Sequence, residues 1–278
     1  MKSIVKPSTF LSGRSIMLMT LVAIMISCSK SNNTPTNAAV SFCNTISWND
    51  TDGRTGSFTG SLINGQYELT CVTYKEPFTT QGNVNFTYDA SGHLMNQTGL
   101  TVTYNGNNLV KFVVDLSMVS KATGTATFTF DTNGDLTNIT AAGTNDNGPL
   151  SYSVTYTYDS NGDPVHIVGH GTQTVSQGTG TVDYDITADY LTDKASLLPF
   201  VPIASPFTVY FAYQSFTSKH LVNKWVMKQN TTVAGVALPE LDFTWLYSYK
   251  YDANGRVSSF HHSGNPNNEY SFTYTGCN

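Results

Sequence analysis

Charged side chains are scarce in this sequence, and so are long hydrophobic segments. Asp, Glu, Lys and Arg make up 12% of the 278 residues, and the formal net charge is −5. A surface with few cations and a negative balance argues against binding to nucleic acid or to anionic lipid through a basic patch. The apolar run from Ile16 to Ile26 has eleven residues and is too short to span a membrane as a helix.

Recognisable catalytic motifs are also absent. The sequence has no Gly-x-Ser-x-Gly elbow, no phosphate-binding loop and no Cys-x-x-Cys pair. Two carboxylate pairs, Asp183/Asp185 and Glu240/Asp242, lie two residues apart and therefore on one face of a strand. Such pairs suit acid–base chemistry in a cleft, but they are far more often solvated strand residues. We therefore expect no catalytic residue and no cofactor, and we predict that the protein is not an enzyme.

Histidine spacing does not predict a metal site. His166 and His170 share a face if their strand is regular, but two ligands without a third do not make a zinc site. His261 and His262 are adjacent, so on a strand they point to opposite faces and cannot easily share a metal.

What the sequence does contain is a repeated phrase, aromatic-Thr-aromatic-Asp-x-x-Gly. It occurs at 86–92, 128–134 and 156–162, and at 249–255 with Lys in place of Thr. Alternating aromatic and β-branched residues favour a strand, Asp suits the first position of a type I turn, and Gly suits the left-handed position after it. Each copy is therefore predicted to be a hairpin with a Gly bulge. The structural turn residues are Asp89, Gly92, Asp131, Gly134, Asp159, Gly162, Asp252 and Gly255.

The same phrase fixes a register. It predicts three aromatic–aliphatic pairs across the hairpins. These are Tyr88–Leu94, Phe130–Leu136 and Tyr251–Val257. The third copy has Pro164 at the aliphatic place, so its return strand is expected to start late or to lie at an edge of the sheet.

Two of these turns also resemble the beginning of a calcium loop. The segments starting at Asp131 and Asp159 carry oxygen ligands at the first positions, but an EF-hand loop ends in a bidentate Glu at position 12. Position 12 is Ala142 in one case and His170 in the other. A turn explains the same residues, so we expect no metal here.

The N-terminus resembles a bacterial lipoprotein signal peptide. Three cations precede the apolar run, which leads to Ser27 and Cys28, a small residue followed by cysteine. Cys28 is expected to become the acylated first residue, and multiple acyl chains would hold it firmly in a membrane. An ordinary secretory peptide cleaved nearby is the alternative. The predicted layout is a signal peptide at 1–27, a flexible tether at 28–41 and a single β-meander domain at 42–278.

Three further cysteines can be oxidised in an exported protein. Cys43 opens the β domain and Cys277 closes it, so a disulfide between them suits a curled sheet. Cys71 lies in mid-strand as a buried thiol in that case. The alternative pair, Cys43–Cys71, stays open.

The predicted fold is all-β. About a dozen strands at hairpin spacing form a large antiparallel meander, which should twist and curl into an open or half barrel. At most one or two short helices are expected, at 189–198 and 205–213, where the hairpin rhythm breaks. The second of these segments is ambiguous between helix and strand.

The Tyr-Asp-x-x-Gly units resemble the repeats of Rhs and teneurin-type shells. The chain is more similar to a group of uncharacterised Bacteroidetes lipoproteins, the domain of unknown function 4595, described as porin-like in fold. The resemblance rests on the signal, the tether, the segment 218–225 and the hairpin at 251–257, and it covers roughly residues 42–278. It implies a fold and an envelope location, and it transfers no catalytic residue.

These observations predict a lipid-anchored protein of the bacterial cell envelope, at the outer membrane, with a non-enzymatic β scaffold for binding or surface contact. Its partners are the membrane, through the lipid, and either a glycan or an apolar ligand. Aromatic side chains permit two alternatives: a carrier that holds an apolar ligand such as an acyl chain inside the curl, and a glycan binder. A glycan hydrolase is the least favoured.

Overall fold

The computed structural model describes residues 43–63, 66–75, 81–118, 122–175, 178–195, 218–264 and 266–277. These residues form one antiparallel sheet of sixteen strands, with a 3₁₀ turn at Leu116–Met118 and no α-helix. The strands are β1 (Cys43–Asp50), β2 (Thr55–Ile63), β3 (Gln66–Lys75), β4 (Gln81–Asn85), β5 (Leu100–Asn105), β6 (Asn108–Asp115), β7 (Thr123–Phe130), β8 (Leu136–Asn145), β9 (Gly148–Tyr158), β10 (Pro164–Val175), β11 (Gly178–Ala195), β12 (His220–Val233), β13 (Val236–Ala237), β14 (Leu241–Tyr251), β15 (Val257–His262) and β16 (Tyr270–Cys277). The predicted all-β fold is confirmed, with more strands than the expected dozen.

The sheet is a meander with one long-range pairing. Its strand order is β4-β3-β2-β1-β16-β15-β14-β12-β11-β10-β9-β8-β7-β6-β5, and β13 pairs only with β12. The first and last strands are therefore neighbours inside the sheet. From this pair, β1 to β4 continue towards one edge and β16 back to β5 continue towards the other.

The segment between β4 and β5 makes hydrogen bonds to both edge strands of the sheet. Gln97 Nε2 donates a hydrogen bond to the carbonyl of Asn85 in β4 (2.8 Å), and Asn96 Oδ1 accepts one from the backbone N–H of Val102 in β5 (2.6 Å). Among the described residues, no ladder pairs β4 directly with β5. The sheet is therefore curled and open, as predicted.

The inner face of the curl is the hydrophobic core. Its largest fully buried side chains are Phe58, Phe112, Phe128 and Phe260, which come from β2, β6, β7 and β15. Burying one such ring contributes on the order of 2–3 kcal/mol. The outer face is rich in hydroxyl groups. The alternation of apolar and polar side chains along each strand therefore separates an apolar inner face from a solvent-exposed outer face.

The four repeated phrases form the predicted turns. In the second copy, Asp131 Oδ1 accepts the backbone N–H groups of Asn133 (2.8 Å) and Asp135 (2.9 Å). Gly134 donates to the carbonyl of Asp131 (3.1 Å) and has a φ of 84°, which a residue with a side chain rarely adopts. The three predicted register pairs are confirmed. They are Tyr88–Leu94, Phe130–Leu136 and Tyr251–Val257.

Because successive strands are antiparallel, all four turns lie at one end of the sheet, which we call the aspartate end. Cys43 and Cys277 lie there as well, opposite each other in the β1–β16 ladder. The opposite end, the far end, carries a degenerate copy of the turn at 50–54. Here the buried Asp50 forms an ion pair with Arg54.

Tyrosine hydroxyls form hydrogen bonds with the first residues of several strands that return from the aspartate end. In four cases a tyrosine from the next ascending strand donates to the carbonyl of a residue at or near the start of the returning strand, at 2.7–3.0 Å. These pairs are Tyr158–Leu136, Tyr190–Pro164, Tyr249–Val222 and Tyr274–Val257. In a fifth case the hydroxyl of Tyr104 accepts from the N–H of Leu94 (2.9 Å).

Two expectations from the sequence are wrong. The strand that begins at Pro164 starts in the same place as its counterparts and lies between β9 and β11, so it is neither late nor at an edge. A bulge between Pro164 and His166 accommodates the missing N–H. Residues 189–195 continue β11 and do not form a helical turn, because pairing with β12 overrides local preference. The segment 205–213 lies outside the described residues.

Candidate functional site

The ends of the β domain are joined covalently at the aspartate end. Cys43 and Cys277 form a disulfide, and Cys71 is a free, half-buried thiol whose pKa is raised by burial. Arg256 supports this corner, because its guanidinium pairs with Asp252 and lies 4.9 Å from the centre of the Tyr274 ring. Cys28 lies outside the described residues.

The turn aspartates are occupied by their own turns and are not arranged as ligands. Asp89 Oδ1 accepts the backbone N–H groups of Ser91 (2.8 Å) and His93 (2.9 Å). These hydrogen bonds lower the pKa of Asp89, and the bond from the backbone N–H of His93 has the largest effect. The copies at Asp159 and Asp252 have the same backbone acceptor pattern. These residues therefore shape the hairpins.

The structure brings together two sets of residues that the sequence suggested separately. On the outer face, His166 Nε2 lies 3.0 Å from Asp185 Oδ1, and His170 Nδ1 lies 2.6 Å from Asp183 Oδ1. All four side chains are about half exposed, and each pair bridges β10 and β11. Within the described part of the chain, no three His, Cys, Asp or Glu side chains form a group that could hold a metal ion. The pairs are cross-strand contacts of a kind that stabilise sheets by roughly 0.2–1 kcal/mol each.

An aromatic row crosses the inner face towards the far end. Trp225 of β12 stacks on Trp245 of β14 with ring centres 5.4 Å apart. On the opposite side of β14, the ring centre of His262 in β15 lies 5.2 Å from that of Trp245. Phe243 follows on β14, 6.0 Å from Trp245. Burial, followed by the neighbouring His261, lowers the pKa of His262. The imidazole is therefore neutral at pH 7 and suits this apolar row.

The row ends at an incomplete part of the sheet. β14 pairs with β12 over Leu241–Leu246 but with β15 only over Tyr247–Tyr251. We call the residues Leu241–Leu246 the β14 edge. Along it Phe243 and Trp245 are half-buried, whereas Leu241 and Leu246 are 40% and 53% exposed. Glu240 precedes this edge and Asp242 lies on its outer face, so the second carboxylate pair from the sequence is placed here.

The deeper inner face is packed. Tyr152 and Tyr184 are buried and their hydroxyl groups hydrogen-bond to each other. The ring of Tyr184 lies directly over Gly169, where even a Cβ atom would collide with it. This close approach explains the small residue at this position of β10 and commits these aromatic side chains to the core.

Sequence reasoning did not identify the β14 edge or the tyrosine contacts. The sequence does contain an indication of the edge. The strand pattern before the fourth turn is longer than the strand pattern after it, so part of the first strand extends past its partner. A signal for the contacts was also present, since a tyrosine occurs near the upper end of each ascending strand concerned.

No protein-family model matches the chain, and no curated protein matches its sequence. In structure it is similar to a porin-like protein from Bacteroides vulgatus, with a TM-score of 0.41 and 9% identity over 84% of this chain and 99% of that one. It is also similar to a porin-like protein from Bacteroides uniformis, with a TM-score of 0.38 and 14% identity over 84% of this chain and 97% of that one. With TM-scores below 0.5, these similarities do not bear on function. The described residues contain no helix long and apolar enough to cross a membrane.

Proposed function

We propose that the protein is a lipid-anchored, non-enzymatic binding scaffold of the bacterial cell envelope, held at the outer membrane through Cys28. The observation that carries the proposal is the position of Cys43 at the aspartate end, joined there to Cys277. Only fourteen residues separate Cys28 from Cys43. An anchor at Cys28 therefore holds the sheet by its aspartate end and presents the far end, including the β14 edge, away from the membrane.

Three observations favour a scaffold over the other functions. The packed inner face around Tyr152 and Tyr184 leaves these rings in contact with each other, which weighs against a carrier of apolar ligands. Trp245 is flanked by Trp225 and His262, so its ring is not presented as a platform for a sugar. The His–Asp pairs lie half-exposed on the outer face of the sheet, which weighs against acid–base chemistry in an enclosed cleft.

The anchor is tested by replacing Cys28. In the Cys28→Ser chain, expressed in a bacterium that processes lipoproteins, we expect the protein to leave the membrane fraction and to lose its lipid mass. Cys71→Ser is the matched control, because Cys71 lies in β3, outside the predicted signal and tether, and its replacement should leave membrane attachment unchanged. A Cys28→Ser protein that stays membrane-bound and lipidated would refute the anchor.

The orientation is tested by energy transfer to a lipid-bound dye. Single cysteines introduced as Ala253→Cys at the aspartate end and Asn147→Cys at the far end, both exposed, are labelled in the Cys71→Ser background. The donor at residue 253 should transfer more energy to the membrane than the donor at residue 147. Equal transfer, or the reverse order, contradicts the proposed orientation.

A further inference from the structure

Beside the β14 edge, the described part of the sheet has room for a further strand. We call this open position next to Leu241–Leu246 the lane. β15 ends at His262, opposite Tyr247, whereas β14 extends six residues further towards the far end. On that side of Leu241–Leu246 the described residues provide no strand. The other side is fully paired, with a regular register from Lys224–Leu246 to Gln229–Leu241.

Ser263 closes the upper end of this lane. Its N–H donates to the carbonyl of Leu246 (2.9 Å), and its hydroxyl contacts both the N–H of Leu246 (3.0 Å) and the carbonyl of Thr244 (3.3 Å). The backbone groups of every second residue point to the same side of a strand. The N–H of Thr244 and both backbone groups of Asp242 therefore also point into the lane.

Among the described residues, the edge has few of the features that normally prevent strand addition. Proteins protect exposed edges with lysine, proline, bulges or covering segments. The sequence Leu-Asp-Phe-Thr-Trp-Leu contains no lysine, proline or glycine, and its ladder with β12 has no bulge. Apolar side chains lie on both faces of this edge, since Phe243 and Trp245 point inwards and Leu246 points outwards.

We propose that the β14 edge binds an extended peptide segment of a partner protein by strand addition. Main-chain hydrogen bonds to Asp242 and Thr244 would provide affinity, and alternate side chains would provide selectivity. An apolar side chain facing inwards lies beside Phe243, continuing the aromatic row by one strand. On the outer face, Asp185 of β11, Lys228 of β12 and Asp242 of β14 lie opposite one another and alternate in charge, so a Lys or Arg of the partner opposite Asp242 continues this alternation.

A second copy of this chain does not suit the lane. Edge-to-edge pairing of two β14 strands in a closed dimer is antiparallel. One copy would then point its aspartate end towards the membrane and the other would point it away. This step rests on the proposed function, because an anchor at Cys28 requires both aspartate ends to face the same membrane.

The test uses the full chain in detergent and a dye-labelled seven-residue peptide of alternating Val and Lys, followed by fluorescence anisotropy. Thr244→Pro removes the N–H that points into the lane and leaves the β12 ladder intact, so binding should weaken about tenfold or more. Thr244→Ala keeps that N–H and is the matched control, with binding expected within about twofold. A peptide with Pro in place of the central Val should not bind.

A second variant keeps the proposal testable if Thr244→Pro does not fold. Asp242→Lys should weaken binding of the Lys peptide and strengthen binding of a peptide with Glu in place of Lys. The proposal is overturned if the chain does not bind the peptide, if Thr244→Pro and Thr244→Ala bind equally, or if native mass spectrometry shows a dimer that Thr244→Pro abolishes. Peptide binding by the Cys28→Ser chain should be unchanged, so failure of the anchor and failure of the peptide site can be told apart.

Discussion

At the scale of single residues, the repeated tyrosines have a defined structural role. The carbonyl groups of Leu136, Pro164 and Val257 lie at the starts of returning strands, beside turns where the regular ladder is interrupted by a bulge. A tyrosine hydroxyl from the next ascending strand supplies a donor for each of them. An unsatisfied backbone carbonyl in such a place would cost about 1–3 kcal/mol. The aromatic residues of the repeat thus contribute through their hydroxyl groups as well as their rings.

Tyr158→Phe tests this role. The substitution keeps the ring but removes the hydroxyl that donates to Leu136 (3.0 Å), so the free energy of unfolding in urea should fall by about 1–2 kcal/mol. Tyr251→Phe is the control, because Tyr251 is 39% exposed and its loss of a hydroxyl should change stability by no more than about 0.5 kcal/mol. Equal effects of the two changes would contradict the assigned role.

Asp135 should make stability depend on pH in a specific direction. The residue is buried, its Oδ1 has no hydrogen-bond partner, and its pKa is raised by burial and then by Asp131, with Lys219 opposing. A raised pKa in the folded state means that stability is highest below the usual carboxyl pKa and is lost as the pH rises through the folded value. Asp135→Asn should therefore gain stability over the natural chain from about pH 4 towards pH 7.

Urea unfolding at several pH values measures this difference. Asp146→Asn replaces an exposed carboxylate in a turn at the far end and serves as the control for the exchange of an acid for its amide. A stability difference between Asp135→Asn and the natural chain that is constant across this pH range would show that Asp135 does not titrate as argued.

At the scale of elements, equivalent positions of two neighbouring hairpins have opposite energetics. Asp163 follows the glycine of the third turn, as Asp135 does in the second. Its side chain is fully buried, and its carboxylate accepts the N–H groups of Lys219 (2.8 Å) and His220 (3.0 Å) and contacts His220 Nδ1 (2.6 Å). The third hairpin is thereby fastened to the start of β12, whereas the second is not.

Asp163→Ala should therefore destabilise the protein by about 3 kcal/mol, because two backbone donors and one imidazole lose their partner inside the protein. Asp135→Ala, the matched change in the preceding hairpin, should cost less than about 1 kcal/mol or be stabilising. Denaturant unfolding of the two variants gives the comparison. Similar losses for both would mean that the hydrogen bonds of Asp163 contribute little.

The hairpins could be predicted from the sequence because turn chemistry is local. Asp and Gly at fixed spacing determine the turn and its register, so the pairs Tyr88–Leu94 and Tyr251–Val257 followed directly. Features that depend on distant strands could not be predicted. The extension of β11 through 189–195 depends on β12, and the interior position of Pro164 depends on a bulge and on Tyr190. The β14 edge also depends on a distant part of the sequence, because β15 ends at His262, before it reaches Leu246.

At the scale of the whole molecule, the two meanders meet in the β1–β16 ladder. β1 pairs with β16 on one side and β2 on the other, so this ladder is the strand pairing that connects β1 to β4 with the rest of the sheet, in addition to the side-chain hydrogen bonds of the segment between β4 and β5. From the sequence alone, both Cys43–Cys277 and Cys43–Cys71 are possible disulfides, because the strand order is unknown. The strand order distinguishes them, since Cys43 lies opposite Cys277 in the central ladder.

Removing this disulfide should weaken the junction between the two meanders rather than one hairpin. The bridge spans 234 residues of sequence, and closing so long a loop limits the unfolded chain by about 5 kcal/mol in the entropic model, an upper value for a real protein. Cys43→Ser with Cys277→Ser should lower the free energy of unfolding by about 2–5 kcal/mol, and reduction of the natural chain should have the same effect. Cys71→Ser is the control and should be nearly neutral. Hydrogen exchange should locate the loss in β1 to β4, because β1 carries Cys43 and is the strand that pairs this smaller meander with β16. Exchange that increases equally in β5 to β12 would contradict the view that the junction holds two separable meanders.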